Sequence, residues 1–362
     1  MRFIVGFAIL ATVAGCGSSS VPLPPPATGN IPTAYAVIPD RQANQVVVKS
    51  LDLEQGRSRS LSAASSQGQR PVCVKTHPNM SSFYVLNAGS ENLSVFTLSP
   101  DGTIDFLGSV ASPPNPKLLM LHPQGGLAYC AGSSTLRSFT IDSSGMLTPL
   151  EDVNLGAGLL SSAEETVVDG AFSAGGAALH VPEQGGFETF FIRSNSRLTA
   201  GILTPLTDAR DGVRDLDANP AQTGLEAVIR SAQGNDQVLT FELRTGLVGP
   251  QTGRFLATQP RLGLADFSYS GRYYLGSQSN GEVQVFEASA ASGALSPLPG
   301  GLSSSPSSTF VRVNQSANLL LVCGPSRLTS FPLDPGGRIQ TPVSDSTDLV
   351  DPGLLDTFLY FL

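Results

Sequence analysis

One short phrase, repeated along the chain, limits the folds available to it more than any other feature. It is clearest at Phe139-Thr140-Ile141-Asp142-Ser143-Ser144-Gly145, where an aromatic and an apolar residue two positions on share one strand face and the glycine supplies a tight turn. Its counterparts are Leu51/Leu53, Phe96/Leu98, Phe190/Ile192, Phe241/Leu243, Phe286/Ala288 and Phe331/Leu333, with turn glycines at Gly56, Gly102, Gly246, Gly293 and Gly336. The first members of these pairs stand 43 to 51 positions apart, close to the roughly 40 to 50 residues of a propeller blade. Seven copies predict an all-β chain, a seven-bladed β-propeller of four-stranded antiparallel blades.

The 362 residues alone would suggest two ordinary domains. A ring of blades remains one body at that size because each blade buries its faces against its neighbours. The 38 glycines and 27 prolines suit a chain with many turns, and no long stretch has helical period.

The first and last repeats predict how the ring closes. Residues 34–38, 45–53 and 58–62 read as the second, third and outer strands of blade 1, with no inner strand before them. At the other end Thr357-Phe358-Leu359-Tyr360-Phe361-Leu362 has the form of an inner strand. Supplying it to blade 1 completes that blade and leaves no open inner edge. In blade 2 the four strands are read at 71–77, 83–85, 93–98 and 103–110, and in blade 3 at 116–122, 128–130, 135–141 and 147–150. Blades 4 to 7 begin near Thr166, Val213, Pro260 and Pro306.

The N-terminus carries an address. Met1-Arg2 is a brief basic start, residues 3–13 are an apolar run too short to span a bilayer, and Val13-Ala14-Gly15-Cys16 places small residues before a cysteine. That ending resembles the lipobox of bacterial lipoproteins, which implies a signal peptide over 1–15 and lipid attachment at Cys16. Several acyl chains on one residue give a stable membrane anchor, at about 0.8 kcal/mol per buried methylene. Residues 16–32 then read as the lipidated cysteine and a flexible Ser/Pro-rich tether, and 33–362 as the propeller. The expected location is the bacterial cell envelope, at the periplasmic face or cell surface, as a monomer.

A net charge of −8 argues against nucleic acid as a partner and against charge-driven docking on anionic lipid. After Cys16 the cysteines are Cys73, Cys130 and Cys323, an odd set that reads as buried thiols rather than a disulfide framework. Three histidines, none clustered, give a histidine metal site or triad little to build from, so no metal and no cofactor is expected. His77 and His122 occupy equivalent turns of neighbouring blades, and His180 stands alone on a strand of blade 4. No Gly-x-Ser-x-Gly elbow, phosphate loop or dinucleotide fingerprint is present.

Two positions before the turn that ends it, each inner strand from blade 2 onward carries Lys75, Met120, Gly170, Asp217, Asp266 or Arg312. Ring closure would gather these around one mouth of the central channel. Mixed charge there can form a polar pocket for a small anionic or hydroxylated ligand, or a circuit of ion pairs that holds the blades together. Arg210, Asp211, Arg214, Asp215 and Asp217 make blade 5 the most charged of these strands.

Asn115-Pro116, His122-Pro123-Gln124-Gly125 and the phrase running on from Phe139 through Met146-Leu147-Thr148 resemble the repeats of the lactonase-type, 6-phosphogluconolactonase-like seven-bladed propellers. The resemblance covers about residues 33–362 and implies architecture first; lactone hydrolysis at the channel mouth is the activity it suggests. Enzymes of that family have a Pro-His-x-His stretch before a middle inner strand and a Val-Pro-Asp-Leu-Gly-x-Asp stretch after the second strand. Here the second stretch reads Val181-Pro182-Glu183-Gln184-Gly185-Gly186-Phe187, which keeps the first acid as Glu183 and puts Phe187 at the second. At the place of the paired histidines stand Ser162, Ala163, Glu164 and Glu165. Glu183, His180 and Arg214 are the catalytic candidates that remain. The sequence favours an envelope-tethered module that binds a small anionic or sugar-like ligand or an envelope protein, with a lactone hydrolase as the alternative.

Overall fold

The computed structural model describes residues 33–51, 58–78, 81–159, 168–206, 212–230, 236–256, 262–268, 271–277, 282–302, 310–314, 319–324, 327–341, 344–346, 349 and 351–360. Cys16 with the leader and tether, Leu53, Gly56, the run Ser162, Ala163, Glu164 and Glu165, and Arg210 and Asp211 lie outside the described residues.

The strands form seven four-stranded antiparallel blades arranged as a propeller. Blade 2 runs from axis to rim through Pro71–Thr76, Ser82–Asn87, Asn92–Leu98 and Ile104–Ala111. Its inner and second strands are buried almost throughout, whereas Ile104–Ala111 is mostly open to water. The pattern follows from stacking: strands near the axis are covered on both faces by adjacent blades, so they are largely apolar and any charge there needs a partner, whereas the rim carries polar residues freely. The anchor aromatics fill the space between blades. Phe96 on the third strand lies opposite Phe83 on the second, with their rings stacked 5.1 Å apart.

At the anchor itself the pairing of third and outer strands slips by one residue in four blades, between Val48/Lys49, Val95/Phe96, Ser138/Phe139 and Thr240/Phe241. A bulge there increases the local twist and turns the rim strand away from its neighbour. In blade 1 this register puts Lys49 and Leu51 where Phe96 and Leu98 stand in blade 2, which corrects the anchor Leu51/Leu53. Lys49 is fully buried and its ammonium donates to Ser60 Oγ at 2.7 Å; its long stem occupies the aromatic's place, so the repeat is kept in shape though not in residue type. In blade 7 the turn glycine is Gly337 (φ 74°) rather than Gly336.

The ring closes as the terminal repeats predict. Asp356–Tyr360 pairs antiparallel with Thr33–Asp40, Thr33 opposite Tyr360 and Val37 opposite Asp356. Polar side chains then fasten blade to blade. The Tyr84 hydroxyl of blade 2 donates to the Gly145 carbonyl in the turn of blade 3 at 2.9 Å, and Tyr274 of blade 6 donates to Gly337 of blade 7 at 2.6 Å. His77 and His122 each reach a turn carbonyl of the following blade, Gly125 at 2.7 Å and Gly176 at 3.1 Å. Cys73, Cys130 and Cys323 are free and buried; burial first of all pushes the Cys73 thiol up to about 12, so it packs as a small hydrophobe.

Candidate functional site

Cross-strand register identifies one equivalent residue on each inner strand. These are Lys75 opposite Tyr84, Met120 opposite Tyr129, Ala171 opposite His180, Asp217 opposite Glu226, Asp266 opposite Tyr274, Arg312 opposite Leu321, and Asp356 opposite Val37. Blade 4 thus presents Ala171 in place of Gly170, because its turn begins directly after Ser173. Blade 1 contributes Asp356 through the closing strand.

The centre of this ring is Asp169, two residues before Ala171. Lys75 Nζ lies 3.1 and 3.0 Å from its two oxygens, and the Arg312 guanidinium donates to Oδ2. The contacts join blades 2, 4 and 7 across the axis. All three side chains are at least nine-tenths buried. Burial opposes the charge on Asp169, yet the two cations beside it outweigh that cost and hold its carboxyl below the usual range. Burial likewise works against Lys75, and Asp169, helped by Cys73 and Asp356, offsets it, so the ammonium is held above its ordinary value.

Around this core, carboxylates tie three blades to the ones that follow by accepting backbone N–H groups. Asp356 accepts from Thr76 at 2.8 Å, Asp215 from Ala265 at 2.6 Å, and Asp266 from Val313 at 2.9 Å. Burial raises Asp266 to about 6 and Asp215 to about 7; Arg312 counters this at Asp266, while the Asp169 charge adds to it at Asp215. Lys75, Asp217, Asp266 and Arg312 are therefore gathered at the axis. Lys75, Arg312 and Asp266 join Asp169 in a sheltered network of ion pairs, and Asp217 is buried beside it.

The three catalytic candidates are not gathered. His180 is enclosed within blade 4 between Ser173 Oγ at 2.7 Å and Thr189 Oγ1 at 2.9 Å. Burial lowers its pKa to about 3, so the ring is neutral. The Ser–His–Thr chain has the contacts of a nucleophile and its base, but all three residues are at most 2% exposed. Glu183 lies at the far end of the same strand, its Oε2 accepting the Ala157 N–H at 3.0 Å with Glu188 beside it. Burial, then Glu188, raises Glu183 to about 8, so near neutrality it holds a proton. Arg214 is on the inner strand of blade 5 and donates to the Leu262 carbonyl of blade 6. Phe187 packs edge-on against Phe241 of blade 5 at 5.3 Å, a core contact where the family's enzymes carry an acid.

Asp169 and Glu188 escaped the reading of the sequence. Asp169 had a signal, as the one acid in the otherwise uncharged run Thr166-Val167-Val168-Asp169-Gly170-Ala171-Phe172, since a charge in a doubly covered strand requires a partner. Glu188 had none, because alternation on a third strand does not tell a buried carboxyl pair from a rim charge.

No protein-family model and no curated protein matches the chain by sequence. Solved structures do match its fold. A candidate 6-phosphogluconolactonase of Bacteroides fragilis superposes with a TM-score of 0.77 at 18% identity, over 92% of this chain and 100% of that one. The periplasmic gluconolactonase of Pseudomonas aeruginosa gives 0.75 at 15% identity, over 90% and 99%. At lower similarity, Chaetomium thermophilum Sqt1 bound to the N-terminus of ribosomal protein L10 gives 0.56 at 15% identity, over 87% and 88%. The chain shares the lactonase-type seven-bladed fold. Among the described residues no helix is long and apolar enough to cross a membrane.

Proposed function

We propose that this protein is an exported, lipid-anchored propeller that acts as a binding module in a bacterial cell envelope. It offers its loops and channel mouth to a small anionic or sugar-like ligand or to an envelope protein. One observation carries the reading: His180, Glu183 and Arg214 are sealed, at 0%, 0% and 4% exposure, and each is engaged by its own or the neighbouring blade. A general base must come within hydrogen-bond reach of the proton it removes, and these three are held apart from one another and from water. The Sqt1 ring, solved with the N-terminus of ribosomal protein L10, is a precedent for such a fold holding a peptide.

The lactonase names of two of these similar structures favour a second reading, hydrolysis of a sugar lactone at the channel mouth. A panel of aldonic and phosphorylated aldonic lactones separates the two. Protein lacking the leader is expected to leave every lactone at its uncatalysed rate, as are Glu183→Ala and Arg214→Ala. Turnover by the parent that falls about 100-fold or more in either variant would establish the hydrolase instead.

The address is tested separately. Cells labelled with a fatty-acid analogue should mark the parent protein and leave Cys16→Ala unmarked. A labelled variant would reject the anchor and leave the propeller reading intact.

A further inference from the structure

The seam between blades 5 and 6 differs from the others in what it buries. Asp215 and Asp217 alternate along the inner strand Gly212–Ala218, opposite Val228 and Glu226 of the second strand. Val228 packs with Ala265, Phe267 and Tyr273 of blade 6, so the face that carries these three carboxyls is the one turned to blade 6. Asp215, Asp217, Glu226 and Tyr273 are at most 2% exposed. Among the described residues Asp215 Oδ1, Asp217 Oδ2, both Glu226 oxygens and the Tyr273 hydroxyl have no hydrogen-bond partner. Unsatisfied polar atoms at that depth are rare in folded proteins and require an explanation.

The repeat supplies one. Tyr84 and Tyr274 lie opposite Lys75 and Asp266, and each hydroxyl donates to a turn carbonyl of the following blade. Glu226, opposite Asp217, holds the same register in blade 5, and the turn of blade 6 arrives beside it. A Cβ built on Gly224 would lie 2.6 Å from Gly293 Cα and 3.3 Å from Glu226 Oε1. A tyrosine always has a proton to give to a turn, whereas a carboxyl has one only in its acid form. Charge points the same way. Asp215, Asp217, Asp266 and Glu226 share this region, and Arg312, the cation whose charge acts on Asp217, is already engaged by Asp169. Among the described residues no three acidic, histidine or cysteine side chains converge to hold a metal ion.

We propose that the blade 5–6 seam is a proton-held latch, closed while Glu226 and Asp217 are neutral acids and loosened when they ionise. The groups facing it are Asp215 and Arg214 on the same strand, Asp266 and Tyr273 from blade 6, Arg312 from blade 7 and Asp169 from blade 4. Burial raises Glu226 and Asp217 well above the ordinary carboxyl range, and Asp215 and Asp266 add to this at Asp217. The sign follows. The folded state keeps protons that the unfolded chain releases near pH 4, so stability is full below that pH and declines as pH rises toward the folded values.

Melting of the parent is expected to fall by roughly 5 °C or more between pH 5.5 and 8.5. Glu226→Gln, which supplies an N–H donor at every pH, and Asp217→Asn should remove a large part of that fall; Glu183→Gln, in blade 4, should leave the seam's share in place. Hydrogen exchange gives a readout that needs no variant. After correction for intrinsic rate, the Ala265 amide, which donates to Asp215, should open roughly tenfold faster at pH 8.5 than at 5.5. The Thr76 amide, which donates to Asp356 at the blade 1–2 seam, should not. Equal acceleration at both amides would overturn the latch, as would an unchanged fall in both seam variants. A melting temperature raised by calcium or magnesium in the parent and not in Glu226→Gln would replace protons with a bound cation, and overturn it too.

Discussion

Protein ending at Leu355 is expected to collect in the insoluble fraction, and any soluble remainder should be cut quickly by protease and show no cooperative melting. The deletion takes away the strand that pairs with residues 33–37, from Thr33 opposite Tyr360 to Val37 opposite Asp356. Each ladder hydrogen bond contributes about 1 kcal/mol net, but the larger loss is closure. Tyr35 and Val37, at 2% and 0% exposure, belong to the cluster between blades 1 and 2 that also contains Val74, Phe83 and Phe96. Without the inner strand that cluster opens to water from the axis, and the bare edge of Thr33–Asp40 becomes a template for another chain. The Asp356 carboxylate also leaves, and with it the bonds to the Thr76 amide and hydroxyl at 2.8 and 3.0 Å. Losses of this kind exceed the roughly 5–15 kcal/mol that holds a folded domain. A truncated protein with the parent's melting curve would mean that the ring does not depend on its own closure.

The parts of this fold that could be read from the sequence are those repeated seven times. Phe96, Phe139, Phe190, Phe241, Phe286 and Phe331 mark the third strands because every blade must fill the same wedge, and the incomplete first repeat revealed the closing strand by subtraction. Lys49 breaks the pattern: one blade fills the wedge with an alkyl stem, so the apolar residue that fits the repeat spacing is Leu51, two positions along. The candidate site was legible only by position. Register placed Lys75, Asp217, Asp266 and Arg312 on one ring, but pairing across an axis joins residues as far apart as Lys75 and Asp169, and no local pattern encodes it. Glu226 was hidden for a related reason. Its oddity appears only beside Tyr84 and Tyr274, whose shared register with it emerges from the strand pairing.

Asp169→Ala is expected to be the most damaging single substitution on the axis. It removes the carboxylate that both Lys75 and Arg312 contact and leaves two cations, at 6% and 4% exposure, without their shared counter-charge. Removing one member of a buried pair costs about 3–5 kcal/mol, because the remaining charge is neither solvated nor matched. In a chain of this length that lowers the melting temperature by roughly 4–7 °C. The loss should belong to the charges rather than to the missing volume, and a cycle of variants can separate them. Lys75→Met in the Asp169→Ala background removes one stranded cation, so the double variant should be more stable than Asp169→Ala alone, although Lys75→Met by itself destabilises the parent. The pH dependence gives an independent sign. The folded Asp169 pKa is depressed, so its stabilisation is present above the unfolded value near pH 4 and is lost as pH falls through the folded value. The parent should therefore lose stability on acidification below pH 4 more steeply than Asp169→Ala, which has nothing left to protonate there. Equal acid slopes, or a double variant weaker than both singles combined, would mean that the three side chains fill the axis without supporting one another.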